Sequence, residues 1–154
     1  RYGGEGYLLS AVDRALKLFE IDKARSEGEG RYRVIFNQAN DAIHISDTRG
    51  RIVDVNPQMC DLMGYTKEEI LSLKLYDLMA PEDRIRDVAV IEAHLALYGN
   101  SRCEGVNIHR DGHRIPVEIS IAKVKERTGD YYISIVRDIT ERKKTEEHLR
   151  KKQG

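Results

Sequence analysis

Five histidines and two cysteines are the side chains best suited to metal or nucleophilic chemistry. His109 and His113 bracket an Asp-Gly turn, and two imidazoles at that spacing are the closest approach to a metal site. No further ligand is recognised beside them, so a solvated hairpin is the favoured interpretation and we predict no metal. Cys60 and Cys103 lie far apart without metal-ligand spacing, which predicts reduced thiols.

Motifs for enzymatic catalysis are not found in the sequence. There is no Gly-rich phosphate loop, no Gly-x-Ser-x-Gly and no Cys/His nucleophile pair at informative spacing. His148, in EEHLRKKQG, lacks the neighbours of a phosphate-accepting histidine and is interpreted as a solvated helix residue. We therefore predict a regulatory domain rather than an enzyme.

Charge and hydropathy exclude further classes of partner. The 154 residues carry 26 basic and 26 acidic side chains, so no net field would attract nucleic acid or an anionic membrane. No apolar run reaches the length of a membrane span and no signal-peptide pattern opens the chain, which predicts a cytoplasmic location. The start at Arg1 and the end after RKKQ suggest a fragment of a longer protein.

Three zones are expected along the chain: an N-terminal helix over residues 1–30, a folded core over 31–138 and a closing helix over 139–154. The first zone carries an apolar stripe at 3,4 spacing, formed by Leu9, Val12, Leu16 and Phe19. Such a stripe predicts a coiled-coil seam in a homodimer. A helix folded back on its own domain is the alternative.

The core pattern reads strand, strand, several short helices and three strands. It opens with a short helix, in which Val34, Ile35 and Phe36 are expected to point inward, and a hairpin around DTRG. This order, with sequential antiparallel pairing of the last three strands, predicts an α+β fold with helices on one side of a five-stranded sheet.

Local signals mark the helix ends. Asn56 followed by Pro57 predicts a helix start, and Gly64 lies where a terminating glycine belongs. A longer helix is expected from about Glu82 to Tyr98. Asp138 with Glu141 resembles a capping box that starts the closing helix at the last residue of a strand.

Together these motifs resemble a PAS domain followed by its PAC motif. The segment FNQANDAIHISDTRGRIVDVNPQMCDLMGYTKEEI is similar to the first half of that family, and HRDGHRIPVEISIAKVKERTGDYYISIVRDITERKK is similar to the second. The resemblance rests most on four groups: Asn56-Pro57, Gly64-Tyr65, Asp111-Gly112 and Asp138-Ile139-Thr140. It implies the PAS fold with N-terminal and C-terminal flanking helices, and a sensory, dimerising module.

The resemblance also implies a mode of signalling. Strain in the sheet of such modules passes through the junction that corresponds to Asp138, Ile139 and Thr140 into an exit helix. That helix leads to a downstream output domain in the same chain, commonly a histidine kinase or a diguanylate cyclase. A ligand-free dimerisation scaffold is the alternative function.

Strand alternation and the resemblance together define a candidate pocket. Alternation in HRIPVEISIAKV places Ile115, Val117, Ile119 and Ile121 on one face. Similarity to flavin-binding LOV members of the family implies that this face points inward and that Ile43 and Ile45 point outward. The implied ligand-binding residues are His44, Ser46, Asn107, Val117, Ile119, Tyr132, Ser134 and Val136.

Two cofactors of the family are disfavoured on the residues present. LOV photochemistry needs a cysteine where this chain reads EEILSLKLYDL, and of the LOV amide trio Asn107 is retained while Val117 and Val136 fill the other places. Haem-binding members use a histidine on the long helix. Here that position falls near Val88, and His94 is interpreted as a solvent-facing residue further along.

His44 is the candidate that matters most. A buried imidazole must find hydrogen-bond partners and can sense a carboxylate or a pH change. We expect it to bind a small acid or another polar metabolite, with protonated His44 pairing a carboxylate, so that binding of an anion weakens as pH rises. A core histidine satisfied by its neighbours or by water is the alternative.

Overall fold

The computed structural model describes residues 12, 15, 29–84, 97 and 99–153. Most of the helix expected between Glu82 and Tyr98, with Val88 and His94, lies outside the described residues. The elements are α1 (Glu29–Gln38), β1 (Ala42–Asp47), β2 (Ile52–Val55), α2 (Pro57–Met63), α3 (Lys67–Leu71), α4 (Leu75–Leu78), α5 (Pro81–Arg84), β3 (Asn100–Ile108), β4 (Arg114–Glu126), β5 (Gly129–Asp138) and α6 (Thr140–Gln153).

The five strands form one antiparallel sheet in the order β2-β1-β5-β4-β3. The last strand therefore lies between the first strand and β4, where His44 is opposite Ser134 and Val136 is opposite Ile119. The predicted α+β fold is confirmed. Because β5 is central and ends where α6 begins, a displacement of the middle of the sheet acts close to the start of that helix.

Asn56 joins the helices to the sheet. Its side-chain oxygen accepts from Met59 N at 3.0 Å, as the predicted helix cap requires, and also from Ile43 N at 2.9 Å. Its amide donates to the carbonyls of Phe36 and Asp41. One fully buried amide thus satisfies backbone groups of α1, β1 and α2, and its own polar atoms are satisfied in return.

Gly64 ends α2, as predicted, with φ at +80°. The His109 ring lies directly where a Cβ at this position would be. Gly64 therefore meets two requirements, a left-handed backbone and close packing of the β3–β4 hairpin.

Both faces of the sheet carry a hydrophobic cluster. The inner cluster lies under α2, α3 and α4 and includes Met59, Met63, Ile70, Leu78 and Val117. The outer cluster joins Ile43, Ile45, Ile133 and Ile135 to Phe36 of α1. The short helices α2–α4 thus share one face, and the outward orientation implied for Ile43 and Ile45 is observed.

The expectation for α1 was partly wrong. Phe36 is buried, whereas Val34 and Ile35 are 53% and 40% exposed. A helix advances about 100° per residue, so a helix lying on a flat sheet cannot bury three consecutive side chains. Phe36 takes the sheet-facing position and the other two turn away from it.

Val12 belongs to the outer cluster, in contact with residues of its own chain. This contact favours, for that residue, a helix folded back on its own domain. Leu9, Leu16 and Phe19 lie outside the described residues, so the predicted dimer seam stays a prediction.

The closing helix has little to bury. Every residue of α6 is described and none is buried, whereas Ile139, just before it, is 3% exposed. The predicted capping box with Glu141 was wrong: Asp138 Oδ1 accepts instead from the backbone N–H and hydroxyl of Thr140, at 2.8 and 2.5 Å. The helix begins one residue later than expected, because Ile139 O accepts its first backbone bond from Lys143 N. Within the described part of the chain, no helix has both the length and the apolar character that a membrane crossing requires.

Candidate functional site

A cavity of about 270 Å³ lies between the inner face of the sheet and the helices α4 and α5. Its floor consists of inward-facing residues of β1, β3, β4 and β5, and its rim includes the turn between β1 and β2. Six of the eight implied ligand-binding residues line it: His44, Ser46, Asn107, Ile119, Tyr132 and Ser134.

Val117 and Val136 do not line the cavity. Both are buried in the inner cluster beneath α2, against Met59 and Met63. Alternation together with the family resemblance assigns them to the correct face, but α2 covers that end of the strands and leaves the cavity to the other end. The period of a strand determines which face a residue takes, not which helix covers it.

His44 and Ser46 both line the cavity, and each has a buried polar atom that is unsatisfied. They are two residues apart on β1 and so share its inner face. His44 is 5% exposed and Ser46 is fully buried. Among the described residues, neither His44 Nδ1 nor Ser46 Oγ has a hydrogen-bond partner. A buried polar atom without a partner is costly, so each calls for a partner from outside the protein fold.

Burial also determines the charge of His44. Desolvation lowers its pKa from 6.5 to about 4. The imidazole is therefore neutral near pH 7, and the expectation of a protonated His44 that pairs a carboxylate does not describe the ligand-free protein. A neutral imidazole offers one donor and one acceptor.

The other polar walls of the cavity are more fully engaged. Asn107 Nδ2 lies 3.8 Å from Met63 Sδ. Asp83 Oδ2 accepts from Val106 N at 2.6 Å, and Asp47 accepts from the backbone N–H groups of Arg49 and Arg51. Of the described residues that line the cavity, His44 and Ser46 are the two with a fully buried polar atom that lacks a hydrogen-bond partner.

Sequence reasoning missed two parts of the wall. Cys103 lines the cavity and lies opposite Ile119, and its position could have been read from the alternation that places Asn107 inward. Asp83 also lines it, by reaching from α5 to β3. No local signal marks that role, because its partner Val106 is 23 residues away.

The junction between β5 and α6 is attached to β4 at its base. Ile139 N donates to Pro116 O at 2.9 Å, and the Ile139 side chain is buried. The implied junction residues Asp138, Ile139 and Thr140 are thereby brought together with the neighbouring strand.

An ion-pair network attaches the first turn of α6 to the outer face of β3 and β4. Glu118 Oε2, on β4, lies 2.9 Å from Arg102 Nη2 and 3.3 Å from Arg142 Nη1. Glu104 Oε2 lies 2.6 Å from Arg142 Nη2, and Glu104 Oε1 lies 2.7 Å from Lys143 Nζ. The hydrogen bond from Lys143 holds the pKa of Glu104 below its usual value and raises that of Lys143. Because Cys103 and Gly105 on either side of Glu104 line the cavity, β3 contacts the cavity on one face and α6 on the other.

His109 and His113 have a third possible metal ligand beside them, contrary to expectation. Asp111 supplies it, and ligand atoms of the three residues lie within 4.8 Å of one another. These atoms are already engaged: His113 Nδ1 lies 2.5 Å from Asp111 Oδ1, and His109 Nδ1 accepts from Asp111 N at 3.1 Å. The rings also stack, with centroids 4.5 Å apart. These contacts form the internal bonding of the hairpin turn between β3 and β4.

Comparison with known proteins gives a consistent result. A family model described as "PAS domain" matches residues 40–141. The methyl sulfide methyltransferase-associated sensor of Methanosarcina acetivorans is 34% identical over 134 residues, 86% of this chain and 13% of that protein. The probable diguanylate cyclase DgcE of Escherichia coli is 26% identical over 79% of this chain and 11% of its own length. The chain thus spans only a small part of these relatives.

Solved structures agree. A domain of a sensory box sensor histidine kinase/response regulator from Geobacter sulfurreducens is 32% identical, with a TM-score of 0.59 over 71% of this chain and 93% of that one. A PAS domain from Colwellia psychrerythraea is 25% identical, with a TM-score of 0.68 over 73% of this chain and 97% of that one.

Proposed function

This chain belongs to the PAS domain family, and we propose that it is a sensory module that binds a small molecule in the cavity and relays the bound state through α6 to an output domain. The observation that carries the proposal is that His44 and Ser46, which both line the cavity, each keep a buried polar atom, Nδ1 and Oγ, without a hydrogen-bond partner. Buried polar atoms of folded proteins are nearly always hydrogen-bonded, so these two atoms support a polar ligand at this end of the cavity.

The size of the cavity supports a small metabolite. A volume of about 270 Å³ is below the range of roughly 300–1,000 Å³ typical of sites for drug-sized ligands. Haem and flavin are large compared with this volume, and the sequence already disfavours both cofactors. We propose that the ligand is bound by the six implied residues that line the cavity, which are His44, Ser46, Asn107, Ile119, Tyr132 and Ser134. Val117 and Val136 support the floor of the cavity from within the core.

The relay we propose runs from β3 and β4 to α6. A ligand that moves Ile119 or Cys103 displaces these strands, and the ion pairs of Glu118 and Glu104 transmit the displacement to Arg142 and Lys143. The Asp138-Ile139-Thr140 junction is the pivot, since Ile139 is bonded to β4 while α6 beyond it is exposed. A helix held mainly by a few ion pairs, with none of its own residues buried, can shift between positions, as a two-state signalling element requires.

The relatives suggest the output. They include sensor histidine kinases, such as TmoS of Ectopseudomonas mendocina, and a probable diguanylate cyclase. We propose that this module regulates an output domain of one of these kinds in a longer, cytoplasmic protein, and that it has no catalytic activity of its own.

We also propose that the module works as a homodimer through its flanking helices. Removing residues up to Glu29 should shift sedimentation from dimer to monomer. Because Val12 packs on the outer cluster, the truncated protein must first be shown to be folded by circular dichroism. If the truncated protein is folded and still dimeric, the dimer interface must instead involve the sheet or α6.

Native mass spectrometry tests the ligand-binding role. The purified protein, and protein incubated with a small-molecule extract of the host cell, should show a bound mass that is lost on denaturation. The His44→Leu variant should bind none while keeping its fold. If neither preparation carries a bound mass, and the extract leaves the melting temperature unchanged, the ligand-free scaffold becomes the better account.

A further inference from the structure

We propose that the ligand of this cavity is an uncharged molecule with two adjacent polar groups, such as a primary carboxamide or a vicinal diol, that bonds His44 and Ser46 together. This inference rests on the proposed function of the cavity and names the chemical class it takes. The remainder of the ligand is aliphatic and packs on Ile119 and Ile121.

His44 and Ser46 are two residues apart on β1, so their Cα atoms are separated by about 6.6 Å along the strand. Two hydrogen bonds of roughly 2.7–3.2 Å to a single ligand atom would barely span that distance, so a ligand with two polar groups matches the pair better. Two neighbouring polar atoms of one ligand can reach both side chains.

The donor and acceptor properties of the site narrow the choice further. A neutral imidazole presents either a donor or an acceptor at Nδ1, according to its tautomer, and a serine hydroxyl does both. A carboxamide or a diol carries both kinds of group and can match either tautomer. A carboxylate only accepts and would need His44 Nδ1 to carry a proton.

The charges around the cavity disfavour an anion. The lining contains the acidic residues Asp47 and Asp83, and its described cation is Arg49, an exposed residue at the rim. Glu104 also belongs to the lining, but its carboxylate oxygens pair with Arg142 and Lys143 on the outer face. Apart from His44, the remaining ionisable side chains of the described lining are Cys103, Tyr76 and Tyr132, none of which is a cation. The described residues of the lining therefore supply no buried counter-ion for an anion at His44, and burying a charge without one is costly.

A cation is disfavoured at the same place. The two atoms that need partners belong to a neutral imidazole and a hydroxyl, and neither neutralises a positive charge. The nearest carboxylate in sequence, Asp47, is already held by two backbone N–H groups and by Arg51. An uncharged ligand is the class that satisfies His44 and Ser46 without burying an unpaired charge.

A matched series of probes tests this assignment. Butyramide, 1,2-butanediol, butyrate and butylammonium are similar in size and differ in charge and hydrogen bonding. Titration into the full chain, followed by amide NMR shifts of β1 and β5, should show saturable binding of butyramide or the diol. Butyrate and butylammonium should bind at least about tenfold more weakly, because each would bury a charge without a partner. Affinity for the uncharged probe should stay constant between pH 6 and 8.

Variants separate the two contacts from the fold. Ser46→Ala should weaken the uncharged probe about tenfold and His44→Leu should abolish its binding, whereas His44→Gln should retain part of it. Ser120→Ala is the control, since Ser120 is equally buried but faces the opposite side of the sheet. Equal weakening by Ser120→Ala would overturn the assignment, because the effect would then be one of stability.

Failure of this inference is distinguishable from failure of the proposed function. Tighter binding of butyrate, with an affinity that falls as pH rises, would overturn the uncharged class and leave the sensor role in place. An ionised endogenous ligand identified by native mass spectrometry would do the same. Absence of any bound mass together with no response to any probe would remove both.

Discussion

Arg142 Nη1, in the first turn of the exit helix α6, lies 3.3 Å from Glu118 Oε2 of β4, a side chain that is 3% exposed. The same carboxylate oxygen also accepts from Arg102 on β3. A buried carboxylate is therefore shared between the edge of the sheet and a helix that buries no residue of its own. The orientation of α6 depends on this contact more than on hydrophobic packing.

Arg142→Ala should loosen α6 without unfolding the core. Glu118 keeps Arg102, so we expect a loss of about 1–2 kcal/mol in the free energy of unfolding rather than the larger cost of an unpaired buried charge. Hydrogen exchange should accelerate at the Lys143 amide, the first backbone bond of the helix. Arg150→Ala is the matched control, because its partner Glu147 is a surface residue of the same helix. Equal exchange rates in the two variants would contradict the role given to Glu118.

Asp138→Ala removes the acceptor for the Thr140 amide and hydroxyl. The loss should be about 1 kcal/mol, the usual value of a helix-start cap. In a full-length protein we expect output to lose its response to ligand more than the fold loses stability. Asp138→Asn should retain most of the response, since an amide oxygen can accept the same bond. If melting collapses while the remaining folded protein signals normally, Asp138 is structural only.

The ligand-free protein should lose stability in acid through His44. Its pKa is about 4 when folded and 6.5 when unfolded, so the unfolded state takes up a proton first as pH falls. The contribution of His44 to the free energy of unfolding is fully present above pH 6.5 and is lost as pH falls towards 4. The total loss is on the order of 3 kcal/mol. Urea denaturation at pH 7.5, 5.5 and 4.5 measures it. Carboxylates titrate in the same range, so the test is the difference from His44→Leu, which should lack this part of the slope.

Gly64→Ala should destabilise the fold more than Gly50→Ala does. Both positions have positive φ, which costs an alanine about 1–2 kcal/mol. At Gly50 a Cβ would meet nothing within 4 Å, whereas at Gly64 it would collide with the His109 ring. Adding His109→Ala to Gly64→Ala should restore only the part of the stability that the collision with the His109 ring removes. Thermal melts of the two variants measure this difference. Equal effects at Gly50 and Gly64 would show that the hairpin moves away freely.

Much of the fold could be predicted from local signals. Asn56-Pro57, Gly64 and the Asp-Gly turn act through the backbone conformations of a few neighbouring residues, and these are properties of short sequences. Alternation placed Val117, Ile119 and Ile121 on one face of β4 because side chains of a strand alternate whatever the strand packs against. The inward direction of that face and the position of Ser134 came from family resemblance. The orientation of β1 came from family resemblance, since Ile43 and Ile45 are as apolar as any inward residue.

The tertiary structure alone decided what depends on distant elements. Val117 and Val136 are core residues because α2 covers their end of the sheet, and Val34 is exposed because α1 lies on the sheet through Phe36. The neutral state of His44 follows from burial by several elements at once, so no neighbouring residue in the sequence predicts it. Glu118, Arg102 and Arg142 meet across separations of 16 and 24 residues. The charge of each side chain and the alternation along each strand can be determined from the sequence, but solvent exclusion and long-range pairing exist only once the chain has folded.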